Sequence, residues 1–424
     1  MLTKHPSIAQ MLCQQEQEKI SAEEAVHQQA IAANVINQTF HCLSGLTQAS
    51  IPKPGPLAGI GLIHKDIFDL NHLAPGFGLT PPIPAEETKN APVIQQLEDA
   101  GAVTIATAVM VPYACGASAQ NANFPRCINP LHPDYVVGGS SSGSAVAVAS
   151  GMTPISLGTD TTGSVRIPAA TCGILGLKTS AGLISSTGVK KLSPSLDTVG
   201  LLAYHLEDIK LLLNIIAELP LISAEESHVA PRIGLWLPAL IDAMVSTSLL
   251  DALGSTVEMQ KIEMPEFAHL KVLTDQIMSY EANQLYAGEL DQASCTRTLK
   301  TVCKQGKLIS QVEYAVMLSD RSNNSAAFIE KYFTDFDILL LPNFTCSLPN
   351  WSEAEIGHPD FSKEKLIGLF HLMGFINYLG LPALSIPIGK DERGRPLSIQ
   401  AVGAPRTELR LLDFARKIYV PFGE

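Results

Sequence analysis

Residues 138–166 read GGSSSGSAVAVASGMTPISLGTDTTGSVR. Two clusters of Gly, Ser and Thr, Gly138–Ser144 and Gly158–Ser164, flank an apolar segment of small residues. Small side chains bury little area and glycine loses much freedom on ordering, so packing alone is a poor explanation. Small residues do let backbone amides approach a ligand, and hydroxyls add donors, acceptors and nucleophiles. The plainer interpretation is a pair of flexible surface turns. What the rest of the chain supplies decides between them.

Outward from this stretch, Ser142–Ser150 is predicted as a helix of small residues able to pack closely on a neighbour, ended by Gly151. Thr153–Leu157 is a candidate strand running into the second cluster. Upstream, residues 6–40 read as helical, with Ser21-Ala-Glu-Glu24 as a capping box. Ala58–Ile63 has strand character and ends at His64-Lys65-Asp66. Lys65 thus closes a buried-looking strand, where desolvation lowers a lysine's pKa, although a strand-end lysine is ordinarily a solvated one. A helix over 92–100, capped by Gly101, feeds a strand at Val103–Ala106.

Downstream, Leu201–Ala217 reads as a helix and 218–231 as an internal linker. Strands follow at Arg232–Leu237 and Val257–Ile262, with a helix at Ile241–Leu253 between them. The 265–335 region is mostly helical and carries no chemical signal. A short buried strand covers Asp337–Leu341. Leu366–Ile388 is apolar enough to suggest a membrane span, but Gly368, Gly374, Gly380, Pro382 and Pro387 punctuate it. It reads as a buried helix, a turn and a buried strand. Strands alternating with helices indicate an α/β architecture with a mostly parallel core sheet.

Composition narrows the function. The chain has 424 residues, 46% hydrophobic and 17% charged, with a formal net charge of −12. That balance, without basic runs, argues against nucleic acid or an anionic membrane as partner. The 8 cysteines show no CxxC spacing, and the 11 histidines show neither HExxH nor an i, i+4 pair. Together with a polar N-terminal segment lacking a signal pattern, they read as reduced thiols in a cytoplasmic protein without a metal site. GILGLKT at 173–179 has the wrong spacing for a phosphate loop. Gly139-Ser-Ser141-Ser-Gly143 matches a GxSxG nucleophile elbow, with His205, His228, His269, His358 and His371 as available partners, none in a recognisable context.

Three blocks together resemble the amidase signature family. Gly138-Gly-Ser-Ser-Ser-Gly-Ser-Ala145 resembles its GGSSGGSA pattern, and Gly158-Thr-Asp-Thr-Thr-Gly-Ser-Val-Arg-Ile-Pro-Ala169 its GxDxGGSxRxPA. Pro56–Asp69 resembles PLxGxPxxxKDxxD, with Gly61 replacing the second proline. Gly176-Leu-Lys-Thr, Ser195-Leu-Asp-Thr-Val-Gly200 and Asn377–Pro387 continue the match, which runs from about residue 20 to 415 and is weakest between 220 and 335.

The resemblance implies a single domain over 1–424 with a large twisted mixed β-sheet covered by helices on both faces. Its motif-matching core lies at about 50–205 and 335–415, and a substrate-shaping region at about 220–335. It implies a Ser–cis-Ser–Lys triad in which Ser164 is the nucleophile, Ser140 the bridge on a cis peptide after Gly139, and Lys65 the neutral base. Backbone amides of Thr161, Thr162, Gly163 and Ser164 would form the oxyanion hole. Asp160 and Arg166 stand as supports, or as a structural salt bridge under the loop, and Ser141 as a candidate hydrogen-bond partner of Lys65. Ser142 and Thr162 replace family glycines. Val109 and Pro112 stand where the family commonly has Asn and Glu, which bears on substrate contacts.

The implied activity is cofactor-independent hydrolysis of a linear carboxamide or urea-like small molecule, with a homodimer left open. Pocket walls are expected from the 110–130 loop and the 220–335 region. The rivals are an amidotransferase-type or non-catalytic partner subunit of the same fold, and an esterase using Ser141.

Overall fold

The computed structural model describes residues 5–47, 50–222, 230–254, 256–292 and 294–422. Its strands, in chain order, are β1 (Leu43–Leu46), β2 (Gly61–Lys65), β3 (Leu73–Ala74), β4 (Ile83–Pro84), β5 (Val103–Ala108), β6 (Ile155–Asp160) and β7 (Leu175–Lys178). They continue with β8 (Thr198–Ala203), β9 (Ile233–Leu235), β10 (Gln260–Lys261), β11 (Ile338–Pro342), β12 (Ala383–Lys390) and β13 (Pro396–Val402). An 8-stranded sheet runs β10-β9-β11-β13-β12-β7-β8-β6, and a 3-stranded sheet runs β1-β5-β2.

The large sheet corrects the expectation of mostly parallel strands. Only β9 pairs in parallel, with β10 and β11; the other pairings are antiparallel. No helix separates β7 from β8 or β12 from β13. The turn between β12 and β13 is too short to return a strand in parallel, and the longer connection from β7 to β8 carries no crossover helix, so each pair folds back on itself. A mixed sheet is therefore what this α/β protein has.

Both sheet faces are covered. In β8, Leu201 joins one apolar cluster with Leu212, Leu213 and Leu411, while its neighbour Leu202 joins another with Ala145–Ala149. In β11, Leu340 faces the first cluster, and Leu339 and Leu341 face a third that includes Leu270, Ile277 and Phe375. The period-2 alternation of strand side chains thus feeds two layers of helices.

The small-residue helix, Ser142–Ala149, is buried along its whole length. It needs small residues because it touches backbone. Gly143 donates its amide to Val109 O at 2.8 Å, and a Cβ there would lie 2.4 Å from Cys42 O and 2.6 Å from Val109 N.

Several boundaries move. The 6–40 helix is two, Ile8–Glu18 and Ala22–Phe40, broken at Lys19 with φ 55°. Ser21 accepts from the Glu24 amide, but the reciprocal box forms at Ser7 and Gln10. Gly158–Asp160 belongs to β6 rather than to a turn. Leu201–Ala203 is strand, buried on both sides, and the helix starts only at Leu206. This moves Glu207 and Asp208 into a first turn, where acids suit the helix dipole. Residues 223–229 of the predicted linker, His228 among them, lie outside the described residues.

The 265–335 region forms helices Phe267–Tyr286, Arg297–Gly306 and Gln311–Phe333. The apolar 366–388 segment resolves into the end of the helix Lys363–Phe370, the whole of the short helix Gly374–Leu379, a left-handed turn at Gly380 and most of strand β12. No helix among the described residues is long and apolar enough to cross a membrane.

Candidate active site

Lys65 is the last residue of β2 and only 1% exposed. Its Nζ donates to Ser140 Oγ at 2.8 Å and to Thr159 Oγ1 at 2.8 Å. Burial draws its pKa down from 10.5 to about 7, against the pull of the Asp197 and Asp160 carboxylates. Near neutral pH, ammonium and free amine therefore coexist.

Ser140 is fully buried and follows a cis peptide bond at Gly139–Ser140. Its carbonyl accepts from the Val111 amide at 3.1 Å. Ser141, also fully buried, turns away from the lysine: its hydroxyl donates to Thr159 O at 3.3 Å, and its amide to Ser164 O at 3.2 Å. This corrects the expected contact between Ser141 and Lys65. The second hydroxyl beside the lysine is Thr159, which sequence reasoning missed because it treated Gly158–Asp160 as a turn. The alternation of a strand carried through to Asp160 was the signal that could have found it.

Ser164 lies in the turn after β6 and, alone of Lys65, Ser140 and Ser164, lines a cavity of about 570 Å³. Among the described residues, no side-chain hydrogen bond joins it to Ser140, so the bonded chain runs from Lys65 to Ser140 and stops. Such contacts are often long without substrate and tighten on binding.

A buried ion pair shapes the turn. Asp160 Oδ1 accepts the Gly163 amide at 2.8 Å, and Oδ2 accepts the Val165 amide at 3.2 Å and the Arg166 amide at 3.4 Å. Arg166 Nη2 meets Asp160 Oδ1 at 2.9 Å with both side chains 0% exposed. Burial opposes the Asp160 charge, but the Arg166 guanidinium holds the carboxyl well below its usual range. Arg166 also donates to Gln400 Oε1 at 3.0 Å and Asn377 Oδ1 at 2.8 Å, tying the turn to β13 and to the 374–379 helix. The pair is thus the structural salt bridge foreseen as one alternative.

It also occupies one amide of the expected oxyanion set. Gly163 N is held by Asp160, which leaves Thr161, Thr162 and Ser164 as the amides not bonded to described residues. Gly163 itself sits at φ 112°, where a Cβ would come within 2.7 Å of Met373 Cγ.

The cavity walls come from the 111–123 segment, from 271–305 and from 356–374, the last unanticipated. Val111, Pro112, Ile167, Leu192, Met278 and Phe370 make the lining largely apolar, with Lys271, Asp275, His371 and Arg297 as charged or ionisable additions. Val109 works through its backbone, accepting Gly143 N and the Ser142 hydroxyl. Pro112 lines the cavity and is followed by Tyr113 and Ala114 at φ 58° and 57°. Asp197, which the sequence marks only as part of a matching motif, accepts the Thr161 hydroxyl at 2.6 Å.

A serine at a cavity wall, beside a turn with free amides and a buried lysine–hydroxyl pair, has the parts that nucleophilic acyl transfer requires. The family model described as Amidase matches residues 21–231 and 238–412. A glutamyl-tRNA(Gln) amidotransferase subunit of Halorhodospira halophila is 31% identical over 410 residues, covering 86% of this chain and 83% of that protein. A fatty acid amide hydrolase of Medicago truncatula is 29% identical over 406 residues, covering 87% of this chain and 65% of that protein. In fold, the chain is similar to 6-aminohexanoate cyclic dimer hydrolase, with TM-score 0.81, 20% identity and 97% and 96% of the two chains covered. The chain belongs to the amidase family.

Proposed function

We propose that the protein is an amidohydrolase that cleaves a linear carboxamide C–N bond through an acyl-enzyme on Ser164. Ser164 Oγ attacks the carbonyl carbon, and its proton passes to Ser140 Oγ as the Ser140 proton moves to Lys65 Nζ. The carbonyl oxygen, now negative, faces the amides of Thr161, Thr162 and Ser164. The protonated lysine returns a proton through Ser140 to the departing nitrogen, and ammonia or an amine leaves. Water then attacks the acyl-enzyme by the same relay in reverse and frees the acid.

The observation that carries this reading is the bonding of Lys65 to two hydroxyls in a dry setting. A neutral amine keeps an N–H for Thr159 Oγ1 and offers its lone pair to the Ser140 proton. A pKa near 7 makes that neutral form available without a strong external base. The largely apolar cavity favours an amide carrying a sizeable hydrocarbon or aromatic group. The test is hydrolysis of an amide and urea-derivative panel, read by ammonia or amine release. Ser164→Ala and Lys65→Ala should each abolish turnover with unchanged circular dichroism, and normal turnover in either would refute the assignment.

Similarity to a component of a tRNA-dependent amidotransferase favours a second reading, in which the chain hydrolyses amides as one member of a larger assembly. Inactivity of the pure chain and recovery on adding a co-purifying protein would support it over the first. The esterase alternative has little support, because Ser141 is buried with its hydroxyl donated to Thr159 O.

A further inference from the structure

Asp197, just ahead of β8, joins three segments through one carboxylate. Oδ1 accepts the Thr161 hydroxyl at 2.6 Å; Oδ2 accepts the amides of Leu192 at 3.0 Å and Ser193 at 3.2 Å. Thr161 opens the turn that carries Ser164, and Leu192 lines the cavity. The segment holding Leu192 and Ser193 is itself braced from the 267–286 helix: Glu281 accepts the Ser193 hydroxyl and, at 3.1 Å, the Ser195 amide. The Ser164 turn is therefore held at both ends by carboxylates, Asp160 through Gly163 and Asp197 through Thr161.

The two carboxylates differ in their counter-charge. Asp160 is neutralised by Arg166, whereas no salt bridge among the described residues includes Asp197. The cations that act on Asp197 and its surroundings are Lys191 and, across the site, Lys65. Asp160 also acts on Lys65, and Tyr286, the last residue of its helix, is within reach of the Asp197 charge. Burial raises the Asp197 carboxyl to about 6, opposed by the hydrogen bonds from Thr161, Ser193 and Leu192, so it is mostly ionised where Lys65 titrates.

We propose that Asp197 is a positioning residue of this site: it clamps the amide-bearing turn that carries Ser164 through the Thr161 hydroxyl. Its charge also acts on Lys65, favouring the ammonium form. The proposal rests on the reading of Lys65 as base. It adds that the base is restrained by a carboxylate outside the triad, one hydrogen bond from the turn that receives the negative charge. Removing the charge, with the shape kept, releases Lys65 to act at lower pH and at the same time loosens the turn.

The experiment follows the rate at which a phosphonyl fluoride labels Ser164 as pH varies, with the adduct located by mass spectrometry. In the unaltered protein the rate should rise to a plateau with a midpoint near 7. Asp197→Asn should move the midpoint down by about half a pH unit or more and lower the plateau roughly tenfold. Thr161→Val should lower the plateau by a similar factor, and Thr161→Ser should restore it, which keeps the test intact if Asp197→Asn does not fold. A midpoint unmoved in a folded Asp197→Asn protein, or Thr161→Val labelling like the unaltered protein, would overturn the role of Asp197. Absence of a Ser164 adduct in the unaltered protein would instead overturn the proposed function on which it rests.

Discussion

Two lysines end two buried strands of this protein. Lys65 closes β2 and Lys178 closes β7, at 1% and 0% exposure. Burial draws each from 10.5 to about 7. Their partners differ. Lys65 meets two hydroxyls, while Lys178 donates to two carbonyl oxygens, Thr179 O at 2.8 Å and Leu381 O at 2.8 Å. A hydroxyl accepts one proton and releases another; a carbonyl only accepts a hydrogen bond. A lowered pKa marks both positions as dry, and the partner decides which lysine has somewhere to send or receive a proton. Lys178 is thus a tie between β7 and the turn before β12.

The comparison breaks most readily at Lys65. Lys65→Ala and Ser164→Ala should each lower amide turnover on the order of 10⁴-fold, measured by product release. Ser140→Ala should lower it roughly 10²- to 10⁴-fold by cutting the relay. Lys178→Met should leave the midpoint of the pH–rate profile in place. Its effect belongs to stability: two buried carbonyls lose their donor, which costs about 1–3 kcal/mol for each group left unpaired, read from the urea midpoint. A Lys178→Met protein with a displaced pH–rate midpoint would erase the distinction.

Stability against pH sharpens it further. Both lysines have folded pKa values below the unfolded value, so between about 7 and 10.5 the unfolded chain binds more protons than the folded one. Each therefore makes the fold more stable as pH rises through that window, with no further change from these groups below it. Lys178→Met should flatten the rise by the share of one lysine, measured by urea unfolding across the window. The smallest effect is expected from Thr159→Val, which removes one acceptor beside Lys65 and should lower turnover by only about 3- to 10-fold.

Much of the site was legible because its chemistry is local. The density of Gly and Ser in 138–166 pointed to a backbone built for close approach, and Gly143 and Gly163 both occupy positions where a Cβ collides. Family resemblance then linked that stretch to Lys65, a connection that spacing alone does not provide. Alternating predicted elements suggested a mostly parallel sheet and hid the antiparallel β7–β8 and β12–β13 pairings, whereas the mixed sheet implied by the family resemblance is the one present. Thr159 escaped notice because its strand was ended too early. Asp197 and Glu281 escaped notice because each acts through a contact with a residue well separated in the chain, Asp197 with Thr161 and Glu281 with Ser193. The cavity wall at 356–374 is likewise a product of tertiary packing.

The central claim is that Ser164 is the nucleophile and Lys65, through Ser140, its base. Mass spectrometry of the protein labelled by a phosphonyl fluoride, beside its Lys65→Ala variant, tests this most directly. The predicted result is an adduct on Ser164 in the unaltered protein and its near-complete loss in Lys65→Ala. An adduct on Ser141, or undiminished Ser164 labelling without Lys65, would contradict it.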